Sequence, residues 1–63
     1  MSPEDVELTL REARRLAASP LGEDHTSYYR VIKRLRRIGR RYSCPSEAVE
    51  ALIMADLLSF GLP

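Results

Sequence analysis

Residues 28–42 read YYRVIKRLRRIGRRY, and the fold turns on whether they wind as one helix. Placed at 100° per step around a helix axis, Tyr28, Val31, Ile32, Leu35, Ile38, Gly39 and Tyr42 fall within about 60° either side of Leu35. Arg30, Lys33, Arg34, Arg36, Arg37, Arg40 and Arg41 fill the remaining arc, with Tyr29 at its border. So clean a division predicts one rod, oily along one flank and cationic along the other, starting near a cap at Asp24 and running to about Tyr42. Gly39 costs about 1 kcal/mol relative to Ala inside a helix. Its place on the apolar side predicts close approach by another helix; the competing reading ends the helix there, with Gly39 in the left-handed conformation.

The flanking segments carry readable ends. Ser2 is a good N-cap, Pro3 suits the first turn because its missing N–H would be unpaired there, and Asp5 stands third in a variant of the capping box. Val6, Leu10, Ala13, Leu16 and Ala17 then recur at spacings of three and four, and Ser19-Pro20-Leu21-Gly22 stops the helix. After the central rod, Ser43-Cys44-Pro45-Ser46-Glu47 repeats the starting logic, and Phe60-Gly61-Leu62-Pro63 is a stop signal in which Leu62 can fold back on Leu57 or Leu58. The expectation is an all-α, compact three-helix domain, with helices at about 3–18, 24–42 and 45–60, filling 1–63 as a single unit.

The third segment is apolar on more than one side. Val49, Ile53, Leu57 and Phe60 form a large face, Ala48, Ala51, Ala55 and Ser59 a small one with Leu52 beside it, and Met54 and Leu58 extend the large face round the back. One neighbour cannot cover it. The expected core is Val6, Leu10, Leu16, Val31, Leu35, Ile38, Val49, Ile53 and Leu57, with Leu52, Met54, Ala55 and Leu58 assigned to self-association in a homodimer. Leu8, opposite the first stripe, reads as an ordinary lone exposed leucine.

Length and composition narrow the chemistry. A chain of 63 residues is marginal as a folding unit. With Cys44 and His25 as its only soft ligands it can make neither an intrachain disulfide nor a structural zinc site, so regular helix packing or oligomerisation must stabilise it. No cofactor and no metal are expected. The acidic N-terminal segment has no secretory character, and the longest apolar run, Leu52–Ala55, is far short of a membrane span. A cytoplasmic protein without integral membrane association is expected. Nine arginines to one lysine, with no Asn, Gln or Trp, suggest a GC-rich coding sequence of bacterial or phage origin.

Net charge is only +1, but residues 30–41 hold seven bases and no acid, whereas 45–63 hold Glu47, Glu50 and Asp56 and no base. The seven cations Arg30, Lys33, Arg34, Arg36, Arg37, Arg40 and Arg41 are the candidate contacts to an acidic protein surface, or, as the alternative, to nucleic-acid phosphates. Against both stands a plain solvated helix face partly answered by the three acids of the third segment. A helix-turn-helix reader is excluded in its usual form: the segment that would enter the groove has no Arg, Lys, Asn or Gln to read base edges. Adsorption to anionic lipid would need an apolar side that the core requires. Catalysis has the least support. Arg40 and Arg41 are near Cys44 in sequence and favour its thiolate, but nothing brings His25 to it, and there is no phosphate-binding glycine loop. The reading is a small non-catalytic regulator or adaptor.

Overall fold

The computed structural model describes residues 1–18 and 25–60. Three helices account for them: α1 Pro3–Ala18, α2 His25–Arg41 and α3 Pro45–Phe60. Local chemistry places the ends. Ser2 Oγ accepts from the Asp5 amide at 3.2 Å and the Ser2 carbonyl accepts from the Val6 amide at 3.1 Å, the expected cap on α1. At the start of α3 the Cys44 carbonyl accepts from the Ala48 amide at 3.0 Å, so Cys44 rather than Ser43 is the capping position. The expected breakers at 19–22, the Asp24 cap and the stop at 61–63 lie outside the described residues.

The central rod is continuous. Gly39 is helical, no described residue has a positive φ, and the Tyr42 amide still donates to the Ile38 carbonyl at 2.9 Å, so Gly39 does not end α2. Its missing side chain serves packing instead: a Cβ there would collide with Leu52 Cγ and Cδ2 of α3. α2 and α3 share the most extensive helix contact, and α1 completes the bundle against both.

The core is built from Val6, Leu10, Ala13 and Leu16 of α1, Tyr28, Val31, Ile32, Leu35 and Ile38 of α2, and Ala51, Ala55 and Leu58 of α3, with Ala48 buried beside them. α1 and α2 bury the stripes their periodicity predicts, except that Ala17 is exposed and Gly39 and Tyr42 are half-buried. α3 does not. Val49, Ile53 and Leu57, expected inside, are 55–57% exposed, and Phe60 is 94% exposed. The physical reason is volume. Leu10, Leu16, Leu35 and Val6 already fill the interior, and at native packing density only a helix presenting alanines can settle close to both neighbours. The small face turns in and the large face is left out.

Burial also removes Ala55 and Leu58 from the expected self-association surface. Ala55 and Leu58 are buried in the chain's own core, and Met54 is half-buried against it. A side chain already enclosed within its own fold has no surface to offer a second copy. Of the four, Leu52 is 42% exposed and Met54 keeps part of its surface open.

Candidate interaction site

All seven cations of α2 are exposed. Among the described residues none of them forms an ion pair, whereas the arginines of α1 all do: Arg11 with Glu7 at 3.7 Å, Arg15 with Glu12 at 3.9 Å, and Arg14 with Glu50 of α3. The acids of the third segment therefore do not answer the basic arc. Glu50 is taken by Arg14, and Glu47 accepts from the Ser46 hydroxyl at 3.3 Å. The Glu50 hydrogen bond, and secondarily its charge, hold the Arg14 guanidinium further above its ordinary value. A group raised in this way keeps its contribution at every pH below its unfolded pKa, so this arginine adds no pH dependence near neutrality.

The helix turns the seven cations into two flanks. Arg34, Arg37 and Arg41 recur at spacings of three and four and line one rim of a groove of about 660 Å³ between α1 and α2. Asp5, Leu8, Thr9 and Glu12 of α1 and the buried Ile38 of α2 also line it. On the other flank Arg36 reaches across to α3, donating to Ser59 Oγ at 3.5 Å, while that hydroxyl donates to the Ala55 carbonyl at 2.7 Å. Lys33 and Arg40 share this side of the wheel, and Arg30 shares the groove side. The arc is thus two cationic edges on one rod, each beside apolar surface from a different neighbour.

Leu8, which the sequence pattern left as an ordinary exposed leucine, lines this groove. It is 60% exposed and shares the groove with Arg34, Arg37 and Arg41. The signal for it was present: Asp5, Leu8, Thr9 and Glu12 are spaced as a second face of α1, but that face acquires meaning only when α2 is beside it.

Cys44 is free and half-buried, with Sγ 3.6 Å from Ser46 Oγ. Among the described residues no cluster of three or more His, Cys, Asp or Glu could hold a metal ion, and no helix is long and apolar enough to cross a membrane. The His25 side chain lies outside the described residues. No protein-family model, no curated protein and no solved structure matches this chain.

Proposed function

We propose that this chain is a small non-catalytic regulator or adaptor, working in the cytoplasm as a homodimer, that takes an acidic protein surface on the Arg-rich face of α2. The observation that carries this reading is the row of cations Arg34, Arg37 and Arg41, without an ion pair among the described residues, along a groove that the exposed Leu8 also lines. Planar guanidinium groups bind carboxylates in a bidentate manner. The exposed Leu8 adds apolar surface of the kind an amphipathic acidic helix covers. Concentrated like charge also speeds encounter with an acidic partner and rejects basic ones.

Nucleic acid is the competing partner for the same cations. The groove favours protein because the exposed Leu8 has nothing to gain from a sugar-phosphate backbone. The test is a titration of a labelled acidic amphipathic helical peptide, duplex DNA and RNA at low and then moderate salt. The peptide is expected to bind in the micromolar range, and charge reversal of Arg34, Arg37 and Arg41 to Glu, or Leu8→Asp, to weaken it at least tenfold. DNA or RNA binding that matches the peptide and is lost on the same reversal replaces this reading with the nucleic-acid one. Peptide binding untouched by either change overturns the assignment of the groove.

A further inference from the structure

Among the described residues, most of the exposed large apolar side chains lie on the outer side of α3. Val49, Ile53 and Leu57 are more than half exposed, Phe60 is almost wholly so, and Leu52 borders them on the α2 side. Monomeric proteins rarely expose a contiguous apolar patch of more than a few hundred Å². We infer that this stripe is the homodimer interface, occupied by the α3 of a second copy lying antiparallel about a two-fold axis near the middle of the helix. The inference rests on the homodimer of the proposed function and supplies its surface and symmetry.

A second copy fits better than an unrelated partner because the stripe matches its own reverse. Val49, Leu52, Leu57 and Phe60 are placed symmetrically about the midpoint between Met54 and Ala55. An antiparallel mate then sets the small Val49 against the mate's Phe60, with Ile53 near the axis and Leu52 and Leu57 level with each other on opposite edges, the self-complementarity a two-fold interface requires. This register also keeps the acids of α3 from facing one another, and it opposes the two helix dipoles, which a parallel pair would align. Both signs of charge border the stripe. Asp56 has no ion-pair partner among the described residues, and Arg36 and Arg40 stand on the adjacent flank of α2, so the mate's cations can close over Asp56.

The area is adequate. A standard interface takes ~800 Å² from each partner, roughly a sixth of the 4531 Å² surface of this chain. Five large apolar side chains form its centre, Phe60 alone offering ~150 Å² or more, and the α2 flank supplies a polar rim.

Sedimentation equilibrium of the full chain from low micromolar to near-millimolar concentration is the first test. A dimer is expected. Ile53→Asp and Leu57→Asp should each weaken it at least tenfold while leaving the helical circular dichroism intact, because both side chains are exposed in the single chain. A wild-type monomer throughout the range overturns the interface and the homodimer together, and leaves acidic-peptide binding to be judged by its own titration. A dimer that survives both substitutions overturns only the surface. Orientation is read by cross-linking in a Cys44→Ser background: chains carrying Val49→Cys and Phe60→Cys, mixed and oxidised, should join to each other in preference to joining in like pairs. Preferred like pairing at position 49 overturns the antiparallel arrangement.

Discussion

Gly39 shows how one residue sets a helix–helix distance. Replacing it with alanine improves helix propensity by about 1 kcal/mol, but the new methyl collides with Leu52 Cγ and Cδ2. Overpacking of this kind costs about 1–3 kcal/mol, so Gly39→Ala is expected to destabilise the protein in urea denaturation despite the better helix former. In a Leu52→Ala background the collision partner is gone and the sign should reverse, with Gly39→Ala stabilising by up to about 1 kcal/mol. Stabilisation in both backgrounds would mean that α2 and α3 do not approach through this pair. The glycine's position on the apolar side was legible in the sequence; its partner was not, because the contact joins residues on different helices.

α3 is the element on which sequence periodicity and structure part company. α1 and α2 each have one apolar direction, and it is the buried one. α3 has apolar side chains nearly all round, so hydropathy gives it no inward direction, and side-chain size decides. Ala51 is fully buried and Ile53 is 57% exposed, which predicts opposite responses. Ala51→Leu forces three extra carbons into a filled interior and should cost about 1–3 kcal/mol or more, read as a lower urea midpoint. Ile53→Ala should change the stability of the dilute single chain by no more than about 0.5 kcal/mol. If instead Ile53→Ala costs several kcal/mol at low concentration and Ala51→Leu is harmless, α3 is turned the other way.

At the scale of the whole molecule, charge and size act together. A chain of 63 residues has little stability to spare, yet it keeps seven cations on one rod, many three or four residues apart, where each like-charged pair costs about 0.2–0.5 kcal/mol. Added salt should screen this repulsion, so the melting temperature is expected to rise between low and moderate ionic strength, and Arg37→Gln to raise it at low salt only. A melting temperature that falls with salt would show that carboxylates answer the arc after all. The sequence by itself determined the number and order of the helices, their bounds to about a residue, the continuity expected of α2 and the cationic character of its outer arc, because caps and helical periodicity act over a few neighbouring residues. Only the tertiary structure decided which side of α3 is buried, that Leu8 joins the arginines at a groove, and that Arg14 claims Glu50. Each of those depends on the space and charge that separate helices leave one another, and no short stretch of chain contains that information.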